Sequence, residues 1–92
     1  MFVVVVYDIA EDRRRLKLMK LLEGYGRRVQ ESVFECDLEV KDYRKMMQRL
    51  QRLISPRTDN VRCYHLCSAD VKQIETLGIG RPVERRREFE IV

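Results

Sequence analysis

Apolar residues recur along the chain with two different spacings, which divide it into predicted strands and helices. Residues 2–7 form a continuous β-branched and aromatic run, typical of a central strand covered on at least one face. This strand ends at Asp8. Asp12 is then predicted to cap a helix that Gly24 and Gly26 terminate. The apolar stripe of that helix consists of Leu18, Met19, Leu22 and Tyr25.

The middle of the chain predicts a pair of short strands and a second helix. Residues 28–38 favour an extended chain, but their apolar face switches near Ser32, where a bulge or tight break would give two strands. Residues 43–54 carry apolar side chains three and four positions apart, which predicts an amphipathic helix. Pro56 ends this helix.

The last third of the chain has a weaker pattern. Residues 61–67 predict a strand. Residues 71–77 are compatible with a short helix or another strand, and we interpret residues 73–77 as a strand. Residues 78–82 form a turn or linker, and a final extended piece follows.

The order of these elements indicates the fold class. A βαββαβ order with an extra C-terminal strand is that of a ferredoxin-like α+β sandwich. We expect the ferredoxin-like domain to span residues 1–80 and a C-terminal extended segment to span residues 81–92. A chain of 92 residues buries only about 60–65% of its unfolded surface, and the open edges and face of such a sheet invite pairing. A homodimer is therefore expected.

The three cysteines indicate free thiols and a cytoplasmic protein. Cys63 and Cys67 would lie about 13 Å apart along one face of the predicted strand, whereas a disulfide needs Cα atoms within about 7 Å. Cys36 is the odd third. His65 lies between Cys63 and Cys67, so a Cys-x-His-x-Cys metal site is an alternative. Against it, the strand spacing holds these ligands apart, and no second Cys/His pair in the sequence completes a tetrahedral site. Three small buried thiols and a packed histidine are the simpler expectation.

Several functional classes are excluded by the residues present. The longest apolar run is far shorter than the roughly 20 residues of a membrane span, so neither a membrane span nor a secretory signal is expected. The chain has one histidine, no Gly-x-Ser-x-Gly motif and no Walker loop. Hydrolysis by a nucleophilic triad and phosphate-loop nucleotide chemistry therefore have no support.

Asp8 is the candidate for metal chemistry, because it follows the first strand with Glu11 and Asp12 just behind it. Ligands of open sheets gather at the carboxyl ends of strands, and Mg²⁺ prefers oxygen ligands. One carboxylate per chain supplies too few ligands for a metal site. Two copies meeting here would supply a pair of Asp8 carboxylates that could hold one ion, and that ion could contact a phosphodiester oxygen. The simpler alternative is that Asp8 is a solvated strand end and Asp12 a plain cap.

The basic residues point to nucleic acid as the partner. The net charge is only +4, but 14 of the 19 cations are Arg, which makes planar bidentate contacts to phosphate. Nothing in the sequence reads bases, so backbone or shape recognition is expected. The alternative is that these residues are helix faces paired with Glu11, Asp12, Glu84 and Glu88. The basic clusters are Arg13-Arg14-Arg15, Arg27-Arg28 and Arg85-Arg86-Arg87.

Five blocks carry more specific information than charge. They are Val-Val-Tyr-Asp-Ile at 5–9, Asp-Arg-Arg-Arg at 12–15, Gly-Arg-Arg-Val-Gln-Glu-Ser-Val-Phe-Glu-Cys at 26–36, Asn-Val-Arg-Cys-Tyr at 60–64 and Ile-Glu-Thr-Leu-Gly at 74–78. In this order and spacing they resemble the CRISPR-associated protein 2 family, the small subunit of spacer acquisition. The resemblance covers nearly the whole chain, and its most specific part is Val-Gln-x-Ser-Val-Phe-Glu.

The resemblance implies a ferredoxin-like homodimer in which Asp8 of both copies is the catalytic and metal-binding residue for Mg²⁺, or Mn²⁺ in its place. Tyr7, Arg15, Arg28 and Phe34 match positions around that site. The residues expected to bind nucleic acid are Arg13, Arg14, Arg15, Lys17, Arg27 and Arg28. Lys17 falls where some members carry Arg, so it keeps a cation without the bidentate fork.

Two roles are compatible with that resemblance. One is a metal-dependent endonuclease that acts on RNA or DNA. The other is a scaffold that sits between dimers of the CRISPR integrase and grips the duplex of an incoming spacer, with residues 87–92 packing on the partner subunit or the integrase. A third reading is a toxin-type ribonuclease of the virulence-associated protein D kind, which shares the fold and which a CRISPR array among the neighbouring genes would contradict.

Overall fold

A four-stranded antiparallel sheet with helices packed on one face forms the body of the protein. The computed structural model describes residues 1–80 and 82–84. The strand order β2-β3-β1-β4 confirms the predicted ferredoxin-like α+β class. The elements are β1 (Phe2–Asp8), α1 (Asp12–Glu23), β2 (Arg27–Gln30), β3 (Val33–Asp37), α2 (Val40–Leu53), β4 (Asn60–Leu66) and α3 (Ser68–Lys72).

Alternation along β1 decides which face of the sheet carries the core. Val3, Val5 and Tyr7 are buried and lie on the same face as α1 and α2, whereas Val4 and Val6 lie half-buried on the opposite, open face. Because the strand is central, even its open-face positions are apolar. The helices complete the core with four leucine and methionine side chains, Leu18, Leu22, Met46 and Leu50.

The predicted break near Ser32 is present. Strands β2 and β3 form a hairpin in which the register shifts between Arg28 and Gln30, and the two turn residues, Glu31 and Ser32, separate the strands. Because of this shift, the apolar residues can change from one face of the sheet to the other along the hairpin, and no polar side chain is forced into the core. Tyr7 fixes the turn, since its backbone N–H donates to Ser32 O at 3.1 Å and its hydroxyl donates to Glu31 O at 3.1 Å.

The predicted strand over residues 73–77 is wrong. The chain forms the short helix α3 at Ser68–Lys72, and residues 74–77 have no regular structure. The helix forms because Asp70 accepts from the Cys67 backbone N–H and the buried Val71 side chain anchors the turn to the body. Among the described residues no strand pairs with 73–77, and Leu77 is 93% exposed.

Two local expectations also need correction. Cys67 does not share a strand face with Cys63 and His65, because β4 ends at Leu66 and Cys67 is the N-cap of α3. Asp12 is the first residue of α1 instead of its cap, and the N-cap position belongs to Glu11, whose carbonyl accepts from the Arg15 N–H at 2.9 Å.

The division at residue 80 stays a prediction, because residues 81 and 85–92 lie outside the described part of the chain. The predicted C-terminal strand and the Arg85-Arg86-Arg87 cluster fall in this region. No helix in the described part is both long and apolar enough to cross a bilayer.

Gly26 is a point of close packing between the end of α1 and strand β3. A Cβ atom there would lie 2.4 Å from Cys36 Sγ and 2.4 Å from the Glu35 carbonyl oxygen. We therefore expect Gly26→Ala to lower the free energy of unfolding by about 1–3 kcal/mol, measured by urea denaturation. Gly24→Ala is the control, since φ at Gly24 is −76° and an added Cβ meets only Leu21 O at 3.3 Å. A Gly26→Ala variant as stable as this control would contradict the prediction.

Candidate functional site

Asp8 lies exposed at the carboxyl end of the central strand. It pairs with Asn60 in the β1–β4 register, so the backbone of β4 fixes one side of the strand end. No hydrogen bond or ion pair engages its carboxylate within residues 1–80 and 82–84. An exposed, unengaged carboxylate on a rigid strand end is free to bind a cation.

The turn that follows Asp8 is held by Arg15. The guanidinium donates to the Ile9 carbonyl oxygen from Nε at 3.2 Å and from Nη2 at 2.9 Å, while Nη1 lies 2.6 Å from Asp12 Oδ1. Three nitrogen atoms of Arg15 therefore donate to Ile9 and Asp12, which follow Asp8 in the chain. Arg15 keeps a positive charge beside the carboxylate and fixes the path of the backbone there.

Asp59 is a buried carboxylate just before β4 that the sequence pattern did not predict as a functional residue. Its side chain has 0% exposure, and it receives Arg14 Nε at 2.6 Å on Oδ2 and Nη2 at 3.1 Å on Oδ1. It also accepts the Ala10 N–H at 3.1 Å and the Ser55 N–H at 2.8 Å. Asp59 thus ties the loop after Asp8 to the α2–β4 connection.

The Arg14 hydrogen bond holds the pKa of Asp59 well below its usual range, against the opposing effect of burial. The backbone donors Ser55 and Ala10 act in the same direction, and the same ion pair raises the pKa of Arg14. The only sequence signal was an Asp in a turn after Ser-Pro, where Asp side chains commonly accept backbone N–H groups. No pattern in the sequence near Asp59 indicates its distant partners, Ala10 and Arg14.

Tyr7 and Phe34, predicted near the site, lie beneath it in the core. Their ring centroids are 6.3 Å apart, and both side chains belong to the apolar cluster between sheet and helices. Burial raises the pKa of Tyr7. These side chains therefore support the strand and the β2–β3 turn; they do not extend toward solvent beside Asp8.

The six basic residues predicted to bind nucleic acid fall into three environments. Arg14 and Arg15 are engaged next to Asp8 as described above. Arg13 and Lys17 are exposed on α1 and have no ion-pair partner in the described ranges. Arg27 and Arg28 are on β2, two strands away from β1.

Arg27 lies far from Asp8. It pairs with Glu35, which pairs with Val4, so it lies about 13 Å farther down the sheet than Asp8 and faces the open side. There it binds Glu84 at 2.9 Å and the Pro82 carbonyl at 2.6 Å. Arg28 faces the helices, and its Nη1 lies 3.2 Å from Met19 Sδ.

The thiols and the histidine occupy different environments along β3 and β4. All three cysteines are free, as predicted, but only Cys36 is buried, and burial raises its pKa to about 12. Cys67 is exposed, so the expectation of three buried thiols is wrong for this residue. His65 packs edge-on against Tyr43 and its Nε2 lies 3.1 Å from the hydroxyl.

The described residues of one chain do not supply a complete metal site at Asp8. Among the described residues no group of three or more His, Cys, Asp and Glu side chains could hold an ion. Glu11 and Asp12, behind Asp8 in the sequence, are engaged by Arg14 at 3.4 Å and Arg15 at 2.6 Å. The donor set fits one half of a shared Mg²⁺ site, because Mg²⁺ in proteins is commonly bound by one or two carboxylates and keeps several waters.

Comparison with known proteins decides the family. A family model described as CRISPR associated protein Cas2 matches residues 1–74. The chain belongs to the Cas2 family. It is 52% identical over 93 residues to the CRISPR-associated endoribonuclease Cas2 1 of Chloroflexus aurantiacus, with 100% of both chains covered.

Two solved structures place the Cas2 fold in context. Streptococcus pyogenes Cas2 is similar with a TM-score of 0.75 and 36% identity, over 85% of this chain and 100% of that one. A chain in a partial Cas6-RT-Cas1–Cas2 complex is similar with a TM-score of 0.67 and 27% identity, over 91% of this chain and 97% of that one. The family and fold expected from the sequence are thus confirmed.

Proposed function

We propose that this Cas2-family chain is a metal-dependent endonuclease that hydrolyses phosphodiester bonds of RNA or DNA in CRISPR spacer acquisition. The observation that carries the proposal is the exposed Asp8 carboxylate, unengaged within residues 1–80 and 82–84, on a strand end held by Arg15 and Asp59. The Chloroflexus aurantiacus relative carries the name endoribonuclease, which supports this activity.

The residues around Asp8 have separate parts in this proposal. Asp8 of two copies would hold one Mg²⁺, or Mn²⁺ in its place. When bound, such an ion polarises a phosphoryl oxygen and lowers the pKa of a bound water. Arg15 keeps its cation beside Asp8, and because its side chain is 43% exposed, its guanidinium can exchange the Asp12 carboxylate for a substrate phosphate. Arg28, which lies on β2 opposite Phe34 and is exposed, is the second proposed phosphate contact.

The open face of the sheet is the surface proposed to form the homodimer. Val4, Val6 and Leu66 are half-buried on this face, and Tyr64 beside them is 49% exposed. Apolar side chains in the middle of an uncovered sheet face favour contact with a second copy. Such a dimer would supply the second Asp8 that one chain lacks.

A charge placed on this face is expected to separate the copies. Val6→Glu should raise the dimer dissociation constant about 100-fold or more, because it buries an unpaired carboxylate in the interface. Light scattering after size exclusion measures the mass, and circular dichroism checks the fold. Val40→Glu is the control, since Val40 is 50% exposed at the start of α2 and this variant should stay dimeric. A dimeric Val6→Glu variant would refute the interface.

The activity itself is tested with end-labelled single-stranded RNA and duplex DNA. Cleavage is expected with Mg²⁺ or Mn²⁺ and is expected to stop in EDTA. The preferred substrate follows from the relative rates. Absence of cleavage of either substrate with either ion at every pH tested would refute the enzyme.

A scaffold without turnover is the second candidate, and the similarity to a chain in a Cas1–Cas2 complex favours it. An integration assay reconstituted with the CRISPR integrase separates the two. A scaffold predicts that Asp8→Asn still supports integration, whereas Arg13→Gln with Lys17→Gln does not. These two residues are chosen because neither has an internal partner in the described ranges, whereas Arg14 is needed by Asp59. Loss of integration in Asp8→Asn alone would contradict a purely structural role.

A further inference from the structure

Two sulfur atoms and an imidazole ring meet where strand β4 packs on helix α2. Cys63 and His65 lie on the face of β4 that is turned toward the helices, because both are paired with core residues of β1. Met47 reaches them from α2, and the Cys63 thiol donates to Met47 Sδ at 3.6 Å. Tyr43, one turn earlier on α2, places its hydroxyl 3.1 Å from His65 Nε2. These four side chains form the sulfur cluster.

The two sulfur atoms are spaced like two ligands of one metal ion. Metal–sulfur bonds are about 2.3 Å long, so sulfur atoms 3.6 Å apart correspond to a bond angle of about 100° at a shared ion. That angle is close to the tetrahedral value. Because Cys63 lies on a strand and Met47 on the helix packed against it, the two ligands are already held side by side. Binding an ion between them therefore needs little movement of the backbone.

His65 is the third ligand available to such an ion. The Tyr43 hydroxyl contacts His65 Nε2 and also hydrogen-bonds the Cys63 side chain, so a single oxygen atom separates the imidazole from the sulfur pair. His65 is exposed, and its ring packs edge-on against the Tyr43 ring with the centroids 4.9 Å apart. Rotation about the side-chain torsions of His65 can therefore bring Nε2 toward the sulfur atoms without unpacking the core.

We propose that Met47, Cys63 and His65 bind a soft monovalent cation of the Cu(I) type. Thiolate and thioether sulfur select Cu(I) over harder ions, and imidazole is also a copper ligand. Mg²⁺ and Ca²⁺ are disfavoured because the sulfur cluster contains no carboxylate. A structural zinc site would need further Cys or His ligands, which the cluster does not offer. As the ion binds, the Cys63 thiol releases its proton to solvent and the copper keeps its oxidation state.

Met47 is the ligand that distinguishes this site from the usual transition-metal sites. Counted over His, Cys, Asp and Glu alone, the described residues contain no group of three that could hold an ion. The Cys-x-His-x-Cys alternative raised by the sequence is excluded because Cys67 lies beyond the end of β4. The Met47 sulfur, 16 positions from Cys63 in the chain, takes its place. The sulfur cluster shares no residue with the proposed Asp8 site, so this proposal does not rest on the nuclease function.

The other two thiols have different surroundings from Cys63. Cys36 is fully buried in the core, whereas Cys67 is exposed and its thiol donates to Asp70 Oδ2 at 3.1 Å. An exposed thiol binds Cu(I) on its own. Every protein in the experiment therefore carries Cys67→Ser, so that the binding measured is not due to this residue.

The affinity for Cu(I) is measured anaerobically by competition with a chromophoric Cu(I) chelator. A single ion per chain is expected to bind. Met47→Leu should weaken binding about tenfold or more, because leucine keeps the volume and removes the sulfur, and Cys63→Ser about 100-fold or more. Met19→Leu is the matched control: this half-buried methionine lies on α1, and its substitution should change the affinity less than about twofold. Circular dichroism checks that each variant is folded.

Nuclear magnetic resonance of protein labelled with ¹³C at the methionine methyl groups identifies the ligand directly. Of the four methionine signals, only that of Met47 is expected to shift when one equivalent of Cu(I) is added. An unmoved Met47 signal, or undiminished binding in Met47→Leu, would show that Cys63 acts as a lone thiol and would overturn the site.

Two further outcomes would also overturn the proposal. Absence of Cu(I) binding once Cys67 is replaced would assign the binding to the exposed thiol. Equal weakening by Met47→Leu and Met19→Leu would show an effect of core packing on the whole protein. Asp8→Asn should leave Cu(I) binding unchanged, so failure of the nuclease proposal would be seen separately.

Discussion

Replacement of Asp8 by Asn is expected to reduce the rate of Mg²⁺-dependent cleavage about 100-fold or more, with the fold and the dimer unchanged. The carboxylate has no partner within residues 1–80 and 82–84, so its loss removes a cation ligand without disturbing internal bonds. An amide keeps the size of the side chain but not the charge that holds a divalent ion. Single-turnover rates over a range of Mg²⁺ concentrations measure the effect.

The Asp8→Asn experiment needs a carboxylate control. Glu23→Gln removes an exposed carboxylate at the end of α1, the opposite end of that helix from Asp8, and should cleave at the rate of the unmodified protein. Full activity in Asp8→Asn would show that cleavage does not depend on Asp8 and would refute its catalytic role. Partial rescue by raised Mn²⁺ would agree with a weakened metal site.

Asp59→Asn is the second variant with a large expected effect, here on stability. All the polar groups that reach the Asp59 carboxylate in the described ranges are donors: the Arg14 guanidinium, the N–H groups of Ala10 and Ser55, and the Thr58 hydroxyl. An amide replaces one acceptor oxygen by a donor and leaves the Arg14 charge without its partner. We expect the melting temperature to fall by about 10 °C or more, measured by calorimetry.

The pH dependence gives a second measure of the same residue. The pKa of Asp59 in the folded protein lies below its unfolded value, so its stabilising effect is complete above the unfolded pKa of about 4 and is lost as the pH falls below it. The difference in stability between the unmodified protein and Asp59→Asn should therefore shrink below about pH 4. Asp12→Asn is the control, since Asp12 also contacts an arginine but is 94% exposed, and its loss should shift stability little. A pH-independent difference would refute the assignment.

The fold was predictable because the information that fixes it is local. The unbroken apolar run of β1, the three-and-four spacing in α2 and the change of apolar face near Ser32 each describe their own element. The prediction of a strand at residues 73–77 was wrong because a strand depends on contacts outside its own segment. A strand needs a partner strand, whereas the contacts between Cys67 and Asp70 and the buried Val71 side chain stabilise a short helix here.

The candidate site was predictable only in part. Asp8 was found because it ends the central strand, and Arg15 because it lies in a basic cluster close to it in sequence. Asp59 was missed because the groups it binds, Ala10 and Arg14, are 49 and 45 positions away in the chain. Arg13 and Arg14 were both predicted to bind nucleic acid; in the structure Arg14 pairs with Asp59, whereas the exposed Arg13 has no ion-pair partner in the described ranges.

The central position of β1 also bears on how the protein is made. Its neighbours in the sheet are Val33–Asp37 and Asn60–Leu66, so β1 leaves the ribosome before either neighbour and has both edges covered only after Leu66 has followed. At about 5–20 residues per second, several seconds separate synthesis of Phe2 from that of Leu66. During that interval an uncharged, β-branched segment is open to pairing with other nascent chains. Aggregation during rapid overexpression should therefore arise from β1, and slower synthesis at lower temperature should relieve it.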